Sequence, residues 1–460
     1  MRTSTVVKGE EDMARHTLTD ALGRPRHLWL ATFITLLVAS LLVGVQSSAP
    51  RVDASDSDDV EKTLLVWAGD QAHHAPDFVA VVDFDADSST YGTVRRTVPL
   101  PASLGAGAAG NEPHHVGLSA DRRTLALGGL LSILRGQDQV FFFDVSHPRH
   151  PRFIRADNPS RFASITDEFH ALGSGGFLAT FMGGPNGAHP GRVIEYDAHQ
   201  NFVAAWPVDP PADGFNPHGI ALDERHNVML TSDFICPLLT LHVHGGDTVL
   251  LRGSIRVWDL ARRAITRTII AGDPNRPAGT IDVQLIPGDH LHRAFTAGMA
   301  DNQLYLIDPG HATATPVFDF SGFAIANAPV WPQLIRITRD GTRLFISLNH
   351  AGMAGKIVML DIAHPEAPRV LSVVDLGAGS GPHYLRLTRD ERRLVVSDYF
   401  LVEDLAPGGV VHAEGDHKIH VINVGRRHMA LDRRFDLDFN RDIRTGPARP
   451  HGMVVLGARD

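Results

Sequence analysis

From about residue 62 onward, apolar and polar positions alternate in short runs broken by turn residues, the period-two pattern of half-buried strands. Seven runs share the form apolar–x–apolar–x–Asp or a near variant. They are FVAVVDFD (78–85), QVFFFDV (139–145), RVIEYD (192–197), SIRVWDL (254–260), NQLYLID (302–308), KIVMLDI (356–362) and KIHVINV (418–424). Four of them follow a second kind of unit, an extended segment, a turn and another apolar strand. These are HHVGLSADRRTLALGG (114–129), HGIALDERHNVMLTSD (218–233), QLIRITRDGTRLFISLN (333–349) and HYLRLTRDERRLVVSD (383–398). Units spaced by roughly 50 residues are the size of four-stranded propeller blades, so the pattern predicts an all-β, seven-bladed β-propeller over residues 62–460. The first unit lacks its starting segment, and the chain finishes on an orphan one, HGMVVLG (451–457). That C-terminal strand is expected to become the innermost strand of the first blade and close the ring, leaving no open sheet edge.

The N-terminus has a different pattern. Residues 28–45 (LWLATFITLLVASLLVGV) are continuously apolar, preceded by Arg24, Arg26 and His27 and followed by Asp53, Asp56, Asp58, Asp59 and Glu61. The run is long enough to span a bilayer, and its flanks predict a cytoplasmic leader (1–27), a membrane anchor (28–45), an acidic linker (46–61) and an extracytoplasmic propeller. A cleaved secretory signal is the competing reading, with the small residues of QSSAP (46–50) as its processing site.

Hydrophobic residues make up 43% of the chain, enough for a large core, and a formal net charge of −9 argues against nucleic acid as a principal partner. The single cysteine, Cys236, excludes an internal disulfide. The 26 histidines change the picture, because several are in register. Aligned on the turn and second strand, the starting segments carry a polar residue at one repeated position: His451, His114, His170, His218, Asp282, Gln333 and His383. Proline precedes His114, His218, His383 and His451, which keeps the approach to the strand extended. Innermost strands line the channel of a propeller, so five histidines from neighbouring blades are expected to converge at one end. Converging imidazoles repel when protonated and share a cation well; copper, zinc, iron and nickel all suit them. His115 adjoins His114, and successive residues of a regular strand face opposite ways. Either the strand is irregular there or His115 supports a ligand from behind. His73 and His74, His242 and His244 near Asp247, and the turn residues His147, His150, His226 and His364 read as loop chemistry.

Several stretches resemble the selenium-binding protein and methanethiol oxidase family. They are PDFVAVVDFDADSSTYGTV (76–94), EPHHVGLSADRR (112–123), DEFHALGSGGFLATFMG (167–183), DERHNVMLTSDF (223–234), GSIRVWDL (253–260), LFISLNHAGMAGKIVMLDIAHPEAPR (344–369) and GPARPHG (446–452). The resemblance spans roughly residues 62–457. It implies a seven-bladed propeller and a copper-dependent oxidation of methanethiol by dioxygen and water to formaldehyde, hydrogen sulfide and hydrogen peroxide. It also implies copper at His114, His115, His170 and His451. The cysteine that the family associates with selenium is absent, since residues 116–130 contain none. His218 and His383 are additions to the family pattern. Two other readings remain: a non-catalytic metal- or selenium-binding propeller, and a dioxygenase with histidine-ligated iron.

Overall fold

The computed structural model describes residues 60–457 except 186, 238–249, 326–329, 350–353, 399–400, 404–409 and 414. Seven antiparallel sheets, each of at least four strands, follow one another along the chain. Their innermost strands, in blade order, are Ala448–Gly457, Pro113–Leu118, Ser164–Ala171, Pro217–Asp223, Thr280–Leu285, Trp331–Ile337 and Pro382–Leu387. The seven recurring runs each form the third strand of a blade, as their shared sequence implies. These strands are buried along nearly their whole length, because each blade is covered on both faces by its neighbours.

The ring closes as the orphan segment predicts. Ala448–Gly457 pairs antiparallel with Glu61–Asp70, with Leu65 opposite Val454 and Val66 opposite Met453. The blade therefore begins one residue before the expected boundary, at Glu61. Packing between blades is apolar with a few fixed polar contacts: Trp67 of the first blade, 1% exposed, donates its indole N–H to Gly128 O of the second at 2.8 Å. The apolar segment 28–45 lies outside the described residues, and among those described no helix is long and apolar enough to cross a membrane.

Candidate metal centre

Every inner strand carries the same irregularity near its start, where two of its residues stand against one residue of the second strand. The pairs are His451 and Gly452, His114 and His115, Asp167 and Glu168, His218 and Gly219, Ile281 and Asp282, and Gln333 and Leu334; in the seventh blade the shift falls at His383. A bulge of this kind breaks the alternation of faces, so adjacent side chains can turn toward the same axis. That resolves the problem posed by His114 and His115, whose rings stack with centroids 4.2 Å apart and planes 10° from parallel.

The bulges are held by the neighbouring blades. Hydroxyls of Thr180, Ser347 and Ser397, each on the second strand of the preceding blade, donate to the carbonyls of His218, His383 and His451 at 2.5, 2.8 and 2.6 Å. Glycine is required at two second positions. A Cβ on Gly452 would lie 2.3 Å from His114 O, and one on Gly219 2.8 Å from Val283 N, so the repeated Pro-His-Gly triplets are shaped by the adjacent inner strand.

His114, His115, His383 and His451 are all buried, with one ring nitrogen from each lying within 4.8 Å of the others. His115 Nε2 is 3.0 Å from His383 Nε2, and His383 Nδ1 is 2.9 Å from Gln333 Oε1, which fixes the His383 proton on Nδ1. A second set, His114, Asp167 and His218, shares His114 with the first. Asp167 Oδ2 is 3.2 Å from His218 Nε2 and 3.6 Å from His114 Nε2, while Oδ1 is 2.9 Å from His115 Nδ1. Glu168 Oε2 is 3.0 Å from the same Nδ1. Beneath lies a polar floor: Arg336 reaches Asp282 at 3.4 Å and Glu168 at 3.7 Å, with its guanidinium 5.6 Å from the Tyr384 ring centre.

Burial and crowding set the protonation states. Burial, then repulsion from the neighbouring histidines, holds His383 and His451 well below the ordinary imidazole value. Burial also pushes His218 down to about 4, against the pull of Asp167. His115 goes the other way: burial opposes its charge, but Asp167 and Glu168 together raise it to about 9. Asp167, despite complete burial, is held well below the carboxylate range by His218, His115 and His114. Neutral imidazoles with available lone pairs, His383 and His451 in the first set and His218 beside the anionic Asp167 in the second, are the donors a transition-metal ion needs. The donor set fits a transition-metal ion of the copper, zinc, iron or nickel kind.

Residues 47–458 match the sequence profile of the 56 kDa selenium-binding proteins (SBP56). The chain belongs to that family. Among its relatives, a methanethiol oxidase of Ruegeria pomeroyi is 28% identical over 345 residues, covering 67% of this chain and 72% of the relative. Selenium-binding protein 2 of Mus musculus is 24% identical, covering 83% of this chain and 90% of its own length. A solved structure of a hypothetical selenium-binding protein from Sulfolobus tokodaii superposes with a TM-score of 0.69 at 18% identity, covering 87% of this chain and 95% of that one. At that identity the superposition speaks for the fold.

Of the residues expected at the ring, His114, His115, His218, His383 and His451 come together and His170 does not. The bulge in the third blade falls at Asp167 and Glu168, three residues before His170. His170 instead pairs with Leu178 near the end of its strand and lines a different cavity. Asp282 also moves: it takes the second bulge position and joins the floor, while Ile281 stands in register with the ring. Asp167, Glu168, Arg336 and Tyr384 are the members that the histidine pattern missed. A constant spacing would have found Asp167. His114, His218, Gln333 and His383 each precede the start of the second strand by ten residues (Thr124, Val228, Arg343, Arg393), and ten residues before Phe177 stands Asp167. His242, His244 and Asp247 lie outside the described residues. His73 is tied to Glu112 at 3.2 Å and Arg449 at 2.7 Å, joining the first two blades.

Proposed function

We propose that this chain is a copper-dependent oxidase of a small thiol, converting methanethiol, dioxygen and water to formaldehyde, hydrogen sulfide and hydrogen peroxide. The observation that carries the reading is the buried group His114, His115, His383 and His451, with ring nitrogens within 4.8 Å of one another. Relatives named methanethiol oxidase support the reaction class. Bound copper would supply one-electron exchange between a thiolate sulfur and dioxygen. The chain's own part is to hold and orient. Gln333 keeps the His383 proton on Nδ1, and Asp167 and Glu168 anchor His115 through its Nδ1 while adding negative charge that offsets a divalent cation. Tyr384 donates its hydroxyl to Val116 O at 3.0 Å and so stiffens the floor. Cys236 is buried beside the bridge between Ile235 and Leu251 and belongs to none of the metal-type groups among the described residues.

One feature favours iron as a second reading. His114, Asp167 and His218 form a two-histidine, one-carboxylate set, the donor type of non-haem iron oxygenases. We further propose that residues 28–45 place the propeller outside the cytoplasm, as their flanking charges indicate. The test is metal analysis of the full chain purified from its own compartment, paired with peroxide and sulfide release from methanethiol. Copper near one ion per chain, with peroxide formed in proportion to it, is the expected result. Copper-loaded protein that releases no peroxide would overturn the oxidase reading, and iron with oxygen insertion into an organic substrate would replace it.

A further inference from the structure

A second histidine group stands at the far end of the inner strands, on the hairpin turns of the fourth and fifth blades. Asp223, the last residue of Pro217–Asp223, caps the single turn Glu224–His226 by accepting from the Arg225 and His226 amides. Its Oδ2 also accepts from His226 Nδ1 at 2.8 Å. A proton held on Nδ1 leaves the lone pair on Nε2, the arrangement by which carboxylates orient imidazole ligands. His292 comes from the next blade, on the turn between Thr280–Leu285 and Ala294–Gly298, and is fixed there by its amide donating to Asp289 O at 3.0 Å. The His226 and His292 rings lie 4.6 Å apart between centroids. Asp223, His226 and His292 each bring one ligand-type atom within 4.8 Å of the others. They border a cavity of about 790 Å³ that is also lined by His170, Glu224 and His290.

An aspartate–histidine contact across one turn is common hairpin chemistry, and the molecule contains an internal control. Asp308 and His311 make the same contact at 2.8 Å, three residues apart, without any second histidine reaching them among the described metal-type groups. Turn geometry explains that pair completely. It does not explain a histidine from another blade arriving at His226. We propose that His226 and His292, with Asp223 orienting His226, form a second metal site that takes a borderline divalent ion of the zinc or copper type. Water, or His290 from the same cavity lining, would complete the coordination. Because His226 is more than half exposed, ions exchange freely there, in contrast to the ring. The five steps along the strand from His218 to Asp223 separate the two sites by roughly 17 Å.

The test uses full-length protein stripped of metal and titrated with Co²⁺, followed by its visible absorption and by calorimetry. Four forms are compared: wild type, a His226→Ala/His292→Ala variant, an Asp223→Asn variant and a ring variant, His114→Ala/His451→Ala. Wild type and the ring variant should share a Co²⁺ event that weakens at least tenfold in the His226→Ala/His292→Ala variant. Asp223→Asn keeps the turn capped, since asparagine caps as well as aspartate. It should nevertheless weaken the same event by about 10–100-fold through loss of ring orientation. An unchanged event in the His226→Ala/His292→Ala variant, or no event surviving in the ring variant, overturns the proposal.

Discussion

The two histidine groups occupy the two ends of the same inner strands and are built in opposite ways. The ring residues sit on bulges repeated in every blade and are almost fully buried, and His218, His383 and His451 have their backbone carbonyls held by hydroxyls from the preceding blade. His226 and His292 sit on turns, with His226 exposed. The lesson concerns what the scaffold supplies. A bulge on a buried strand fixes a side chain through the whole closed ring, whatever residue occupies it, as Ile281 and Gln333 show by standing in register without histidine. A turn fixes a side chain only through its own few hydrogen bonds. Chemistry at the ring therefore depends on global integrity, and chemistry at the far end on local contacts.

The strongest way to break this contrast is to remove the closure. Deleting residues 448–460 takes away the inner strand of the first blade and bares the edge that carries Leu64, Leu65, Val66 and Trp67, all at most 1% exposed. Loss of cooperative thermal unfolding is expected, together with loss of all ring metal. A truncated chain that melts at the full-length temperature would show that closure is dispensable. Next in size is the ring itself. His114→Ala combined with His451→Ala should lower copper or iron content at least tenfold, while the metal-free melting temperature stays within a few degrees of wild type. The fold should survive because the same bulge position is occupied by Ile281 and Gln333 in other blades, which fold without a histidine there. Full metal occupancy in that variant would make the ring structural.

Asp167→Asn sharpens the comparison further, since Asp167 touches three ring histidines at once. Metal affinity should fall by about 10–100-fold, the usual cost of losing a residue that orients ligands. His170→Ala should leave ring metal content unchanged, as measured by the same elemental analysis. A matching loss in His170→Ala would mean that the third blade shifts register when metal binds.

Most of this architecture was legible in the sequence. The seven recurring runs gave the blade count, the orphan segment at 451–457 gave the closure, and the Pro-His spacing placed His114, His218, His383 and His451 on one ring. The rest was hidden for identifiable reasons. A bulge shifts the facing of a strand by one residue without altering its composition, so His115 appeared misdirected and Asp282 appeared in register. Asp167 was missed because the nearby His170 stood in its place in the alignment, and only the bulge shows which residue of that strand faces the ring. The far-end site was illegible because Asp223 and His226 read as a turn, which they are. Only the fold brings His292 beside them.

The last comparison is between two fully buried carboxylates. Asp167 is held far below its ordinary value by three histidines, whereas Asp77 is pushed up to about 7. Burial is the main cause for Asp77, and nearby Glu112 adds to it. The Asn111 amide and side chain, both donating to Oδ2 at 2.9 Å, offset only part of this, as does His73. The sign follows from linkage. A folded-state value above the unfolded one means that the native protein holds a proton which the unfolded chain releases. Stability from Asp77 is therefore fully present below about pH 4 and is lost as pH rises toward 7, by at most about 1.4 kcal/mol per pH unit. Asp77→Asn removes the titration while keeping an oxygen for Asn111 to donate to. Thermal unfolding of metal-free wild type and variant should nearly coincide at pH 4 and separate progressively up to pH 7, with the variant the more stable. Parallel curves across that window would mean that Asp77 ionises as an ordinary carboxylate, and that burial without a cation is less costly here than its contrast with Asp167 implies.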